Sequence, residues 1–250
     1  MTKQSSRERD IRARSRVLRT ARAWYRRYGP SSAAYQSVDL HGVLLGLDGI
    51  SVGMQEALAG GRYEEAEVQM CRELLVTSDA VVEIGSAIGF LGIFATKVLG
   101  VASYRSIEAN PNTAQLLVAN YERNGLKPDL VIAALAPRDG PVALSVTTDF
   151  WTNTTCSIAS GVVDTLTVPG CTLTTLLNSV DYDPTALIID VEGAETCLLT
   201  TTIPETVCKV IIELHPAMIG VTVAFDILKC LMDQKFRVQS TLDTTYALVR

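Results

Sequence analysis

Residues 81–92 read VVEIGSAIGFLG. A run rich in β-branched residues stops at Gly85, and an apolar stretch of helical character follows it. This is the handover from a buried strand to a helix that opens an α/β unit. Gly85 permits a sharp turn, and Gly89 permits a ligand to approach the backbone closely. Unpaired N–H groups at the start of the helix can receive a carboxylate or a phosphate. Glu83 narrows the choice. An acid two residues before the first glycine suits a ligand that carries an amine, and it repels the pyrophosphate of a nicotinamide cofactor.

Outward from this unit, strand and helix patterns alternate. Upstream, YEEAEVQMCRELL (63–75) reads as a helix with acids at its positive end, and the Gly-rich 31–60 reads as loop with short elements. Downstream, SYRSIE (103–108) is a strand, followed by a helix over 111–125 that Asn110 caps, Pro111 begins and Gly125 ends. DLVIAAL (129–135) is the next strand, with VALSV (142–146) as an additional one. Residues 147–170 read as a polar, Thr-rich loop, with Phe150 and Trp151 placed to act as a lid. A short helix near 173–179, the strand ALIIDV (186–191), a helix from about 194 and the strand KVIIEL (209–214) follow. The helix 223–233 precedes FRVQST (236–241) and YALVR (246–250), which are joined by so few residues around Asp243 that they must pair antiparallel. The expected fold is α/β, a Rossmann-like sheet of seven strands, mostly parallel, with an antiparallel C-terminal hairpin and helices on both faces. Residues 1–30 form a basic segment, 31–76 a cover of helix and loop, and 77–250 the main domain.

Three strand ends carry acids. Glu108 lies 23 residues after Gly85 at the tip of the second strand, where a carboxylate can accept both hydroxyls of a ribose. LIIDVEGAE (187–195) drives a buried strand into Asp190 and Glu192 and turns through Gly193. Ligands of open α/β sheets bind at such carboxyl ends, so Asp190 and Glu192 are candidate functional residues. Glu195 falls in the first helical turn, where its charge favours the helix end. IIELHP (211–216) brings Glu213 and His215 to the neighbouring tip. An imidazole with an ordinary pKa near 6.5 makes His215 a candidate general base. The adopted reading needs no metal; Asp190, Glu213 and His215 are the set that would hold Mg²⁺.

Charge is unevenly spread. Residues 1–30 hold ten Lys/Arg against two Asp/Glu, whereas the remainder holds 12 against 25. Ile11, Leu18, Ala21, Tyr25 and Tyr28 fall on one helical stripe, so residues 1–30 are expected to form an amphipathic helix. It lies on the acidic body or contacts nucleic acid, anionic lipid or an acidic partner; an organellar transit peptide is the third reading, against which Glu8 and Asp10 count. The six cysteines are scattered without a C-x-x-C pair, and neither a secretory signal nor a transmembrane span is evident. A cytoplasmic protein with reduced thiols is expected.

The motifs, in this order, resemble the FkbM family of S-adenosylmethionine-dependent methyltransferases. The matching pieces are Tyr63-Glu64, EIGSAIGF (83–90), IEANP (107–111), ALAPRDG (134–140), IDVEGAE (189–195) and IIELHP (211–216), with IDVEG the most distinctive. The resemblance implies a class I methyltransferase sheet, S-adenosylmethionine as cofactor and S-adenosylhomocysteine as product. It implies that Glu83, Gly85, Ser86 and Gly89 line the methionine end, Glu108 the ribose, and Asn110 with Ala134 the adenine side. Tyr63, Glu64, Ala109 and Asp190 complete the expected cofactor set. The expected reaction is O-methylation of a small hydroxylated substrate, a sugar or polyketide-like alcohol, with Asp190 or His215 as base and Glu192 orienting the acceptor. Ile188 stands where the family usually has Lys, and Thr174 where it usually has Asp. The competing readings are a nucleic-acid-directed methyltransferase or binding protein using the Arg-rich N-terminus, a dehydrogenase, and a non-catalytic scaffold.

Overall fold

The computed structural model describes residues 37–61, 63–147, 154–155 and 162–250. The expected basic helix over 1–30 and the lid residues Phe150 and Trp151 lie outside the described residues. The described chain opens with a hairpin, β1 (Ser37–Leu40) and β2 (Val43–Gly46), then α1 (Val52–Ala59) and α2 (Glu65–Leu74). β3 (Ala80–Ile84) follows, and then α3 (Phe90–Ile93), which widens into a π-helical turn over Phe94–Leu99. β4 (Ser103–Glu108), α4 (Pro111–Arg123) and β5 (Asp129–Ile132) complete the first half.

β6 (Ala134–Leu135), β7 (Gly140–Thr147) and β8 (Val162–Cys171) form a separate three-stranded sheet in the order β6-β8-β7. Next come α5 (Leu173–Leu177), β9 (Ala186–Ile189), a 3₁₀ helix (Ala194–Thr200) and β10 (Lys209–Glu213). α6 (Pro216–Ile219), α7 (Val221–Asp233), β11 (Arg237–Leu242) and β12 (Thr245–Val249) end the chain.

The main sheet has seven strands in the order β11-β12-β10-β9-β3-β4-β5. β10, β9, β3, β4 and β5 pair parallel, and β12 pairs antiparallel with both β10 and β11. The expected fold class is the one observed.

Alternation along the strands explains why both faces are covered. Val81, Ile188, Ile211 and Ala247 point into one core with Phe90, Phe94, Leu117, Tyr121, Met70 and Leu45. Val82, Ile84, Leu187, Ile189, Val210 and Ile212 point into the other with Leu198, Ile227, Leu231 and Phe236. Strands buried on both faces read as near-continuous apolar runs, and these do. Each fully buried side chain of this size contributes about 1.5–3 kcal/mol relative to exposure.

Several elements differ from the sequence reading. Residues 162–170, read as loop, form β8 together with Cys171, and β8 pairs antiparallel along the whole length of β7. Val162, Val163, Thr165, Thr167 and Val168 are β-branched, and that propensity outweighs the polarity of the segment. The strand expected over 129–135 is two. Ile132 still pairs with Glu108, but Ala134 pairs with Gly170 in the other sheet, so the chain changes sheets at Ala133. The short elements expected within 31–60 are β1, β2 and α1. The helix expected from 194 is a 3₁₀ turn.

Candidate active site at the strand tips

From β3 the chain moves to β4 on one side, and later it enters β9 on the other. The strand order therefore reverses between β3 and β9, where an open α/β sheet forms a crevice. Gly85 closes the bottom of that crevice. Its φ is +92°, and a Cβ there would sit 1.6 Å from the carbonyl oxygen of Asp190. The Asp190 N–H donates to the Ile84 carbonyl at 2.9 Å, locking the two tips together. On the other side the carbonyl of Ile107 accepts the N–H groups of Gly85 and Ser86, and Ser86 Oγ accepts the Ile107 N–H at 3.0 Å. Ser86 thus clasps β3 to β4.

A cleft of about 800 Å³ opens above these tips. Tyr63, Glu64, Gly85, Glu108, Ala109, Ala134 and Asp190 line it, all from the expected cofactor set, as do Glu192 and His215. Glu83, Ser86, Gly89 and Asn110 do not. Glu83 is on the β3 face that points into the core, 3% exposed. Asn110 caps α4, its Oδ1 accepting from Asn112 N–H. Gly89 has φ +81°, and a Cβ there would meet Leu117 and Tyr121 at 2.8–2.9 Å, so helix packing occupies the room that the sequence reading gave to a ligand. These four residues lie behind the lining and support it.

Glu108 is presented for binding. One oxygen accepts from Ala87 N–H at 2.9 Å and the other from Asn110 N–H at 2.8 Å. An ionised carboxylate has about four acceptor sites, so roughly two remain for a ligand. Beside it, Ala109, Ala133, Ala134 and Leu135 make an apolar wall.

The opposite end is acidic. His215 Nδ1 pairs with Glu195 Oε1 at 2.5 Å, while its Nε2 faces Glu192 at 3.4 Å, Asp190 at 3.6 Å and Glu213 at 3.9 Å. Glu195 is fully buried, and its Oε1 also accepts the Gly193 N–H. Capping, the role read for Glu195 from sequence, is joined there by fixing the imidazole. Burial opposes a charged His215, but the Glu195 hydrogen bond and the carboxylates of Asp190 and Glu192 outweigh it and lift the pKa to about 9. At neutral pH the ring is a cation, which disfavours it as a resting base. Burial, above all, raises Asp190 well above its ordinary value and raises Glu192 to about 7, with Glu213 adding to both. Glu192 has φ +46°, a left-handed backbone uncommon for a residue with a side chain; Thr154 holds its carbonyl by a hydroxyl bond of 2.5 Å.

Sequence reasoning missed Glu67. It lines the cleft from the first turn of α2 and accepts from Thr245 Oγ1 at 2.6 Å. Three acids within four residues, Glu64, Glu65 and Glu67, were the available signal. Among the described residues no Lys or Arg lines the cleft.

Burial also raises Glu83 and Glu108 to about 7 from 4.5. The hydroxyls of Ser86, Tyr104 and Ser106 oppose that rise at Glu83, yet its Oε2 is left without a partner in hydrogen-bonding geometry. A carboxyl whose folded pKa exceeds its unfolded value favours the protonated fold. Its contribution is complete below 4.5 and is lost as pH rises through 7. The thermal midpoint should therefore climb by roughly 5–10 °C between pH 8 and pH 5.5, each group being worth at most about 3 kcal/mol. Glu83→Gln should remove about half of the dependence. A midpoint that is flat or falls on acidification would contradict this account of the two buried acids.

Among the described residues no helix is long and apolar enough to cross a membrane, and Cys71, Cys171, Cys208 and Cys230 are free thiols.

No model of a known protein family matches the chain, and no curated protein does. Among solved structures, the chain is similar to a methyltransferase FkbM from Methylobacillus flagellatus KT, with 14% identity, a TM-score of 0.45, and coverage of 71% of this chain and 44% of that one. The chain therefore spans less than half the length of that protein. It is also similar to a ribosomal protein L11 methylase from Lactobacillus delbrueckii subsp. bulgaricus, with 14% identity, a TM-score of 0.46, and coverage of 76% and 79%. A methyltransferase from Pyrococcus furiosus is matched over 95% of this chain and 96% of that one, with 12% identity and a TM-score of 0.45. At these identities and scores the likenesses carry no functional assignment.

Proposed function

We propose that the protein is an S-adenosylmethionine-dependent methyltransferase that O-methylates a small hydroxylated acceptor, such as a sugar or a polyketide-like alcohol. The observation that carries the reading is the pairing of two ends in one cleft. Glu108, backed by two N–H groups beside an apolar wall, faces an acidic cluster across the Gly85 turn. Glu108 accepts the ribose hydroxyls, and Ala109, Ala134 and Leu135 pack against the adenine. Tyr63 and Glu64 close the cleft near Asp190. When bound, S-adenosylmethionine supplies an electrophilic methyl group that an acceptor oxygen displaces in line from sulfur. The protein's task is alignment of that oxygen and removal of its proton. With His215 held as a cation, the proton passes to the carboxylate of Glu192, whose raised proton affinity suits an alcohol near neutral pH.

Electrostatics favours a small acceptor over a nucleic acid. Among the described residues, acidic side chains from five elements line the cleft and no Lys or Arg does, so a phosphate backbone entering it would be repelled. The test is to incubate the full chain with methyl-labelled S-adenosylmethionine and whole-cell extract, then to fractionate the label. Label in small organic molecules that survives mild alkali, as ethers do and esters do not, is the expected result. Label confined to the RNA or protein fraction would overturn the small-acceptor reading.

A further inference from the structure

We propose that Asp190, Glu213 and His215 form a binding site for one divalent cation of the Mn²⁺ or Mg²⁺ type, which receives a vicinal diol of the acceptor. One ligand atom from each residue lies within 4.8 Å of the other two. Around such a cation, atoms bound at about 2.1 Å stand roughly 3 Å apart when adjacent and about 4.2 Å apart when opposite. The separations of 3.6 and 3.9 Å from Nε2 to Asp190 and Glu213 fall in that window.

Three further observations point to an ion rather than to an ordinary acidic cluster. Nε2 faces three carboxylates, yet the shortest separation is 3.4 Å, well beyond the 2.7–2.9 Å of a charge-assisted hydrogen bond. Asp190 Oδ1, the oxygen facing Nε2, is itself shielded from solvent and has no hydrogen-bond partner, while the side chain as a whole is 32% exposed on the cleft side. Glu195, fully buried, grips the opposite nitrogen, Nδ1. A carboxylate behind the far ring nitrogen fixes the tautomer and aims Nε2, the arrangement that supports metal-bound imidazoles. Two carboxylates and one imidazole, which gives up its Nε2 proton when an ion binds, suit a hard or borderline cation, and Mn²⁺ tolerates the imidazole better than Mg²⁺ does.

Three protein atoms leave about three positions of an octahedron open, enough for two adjacent hydroxyls. Glu192 lies outside the triad and is left to take a proton. A hydroxyl on the cation gives its proton to Glu192, its oxygen bonds to the methyl carbon, and the carbon–sulfur bond breaks with its electron pair remaining on sulfur. This role in catalysis rests on the proposed methyl transfer, but the existence of the site does not.

The site is tested on the chelator-treated full chain by titration with MnCl₂ alone, followed by the loss of the free-ion paramagnetic resonance signal. We expect one ion per chain, bound below about 100 μM, with a nitrogen coupling from His215 in the pulsed spectrum. Glu213→Gln should weaken binding at least tenfold and His215→Gln should abolish the nitrogen coupling, whereas Glu65→Gln, in the same cleft, should change neither. Absence of binding up to 1 mM by the folded wild type would overturn the proposal. So would binding without nitrogen coupling, since that places the ion elsewhere on the acidic surface. S-adenosylhomocysteine binding, measured separately without metal, reports on the methyltransferase reading independently.

Discussion

Gly85→Ala should disable the protein more thoroughly than any other single methyl group added to it. The new Cβ would lie 1.6 Å from the Asp190 carbonyl oxygen and 2.7 Å from its carbon, and both are backbone atoms held in paired strands. No rotamer relieves such a clash, and φ of +92° is itself unfavourable for alanine. Either β3 and β9 separate at their tips, opening the Ile84–Asp190 hydrogen bond, or the turn rebuilds. We expect a loss of more than about 3 kcal/mol, a fall in thermal midpoint of roughly 10 °C, and no cofactor binding by whatever folds. Gly53→Ala serves as the comparison. It lies in α1, and a Cβ there would approach only Ser51 Oγ, at 3.9 Å. That exchange should leave the midpoint unchanged or raise it slightly. Tolerance of alanine at position 85 would show that the two tips are not packed as described.

Glu108→Ala should separate binding from folding. Two hydrogen bonds from ligand hydroxyls to an ionised carboxylate are worth about 1.5–3 kcal/mol each, so affinity for S-adenosylhomocysteine should drop by roughly 10²–10⁴-fold. The substitution also strips a partner from the N–H groups of Ala87 and Asn110. Glu108→Gln therefore accompanies it: one acceptor oxygen remains, and the loss should be nearer tenfold. Thermal midpoints within a few degrees of wild type would assign the effect to the lost contacts. Unchanged affinity in both variants would remove the nucleoside from the β4 tip.

The central strands β9 and β10 were legible because each is buried on both faces and so interrupts a polar chain with an unbroken apolar run, as ALII and VII do. The hairpin of β11 and β12 followed from chain length alone, since Asp243 and its neighbours cannot span a crossover. Less legible was everything held by tertiary pairing. β1 and β2 are four residues each and owe their place to α4, whose Asn120 and Asn124 side chains accept from the N–H groups of Gly46 and Leu44. β8 hid behind its threonines. At the site, the acidic tips were readable from Asp190, Glu192, Glu213 and Glu108, because a buried strand ending in charge demands a reason. What each acid touches was not. Glu195 looked like a helix-end residue, and only the fold brings it against His215, 20 residues away in sequence. Gly89 looked like ligand space until Leu117 and Tyr121 arrived from α4.

The central claim is that the cleft above Gly85 is a nucleoside-sulfur site with an acidic acceptor end. Calorimetric titration of the full chain with S-adenosylhomocysteine tests it most directly, because it needs no knowledge of the acceptor. One molecule per chain with a Kd in the micromolar range is the predicted result. No heat at millimolar ligand, from protein that still unfolds cooperatively, would contradict the methyltransferase reading at its root.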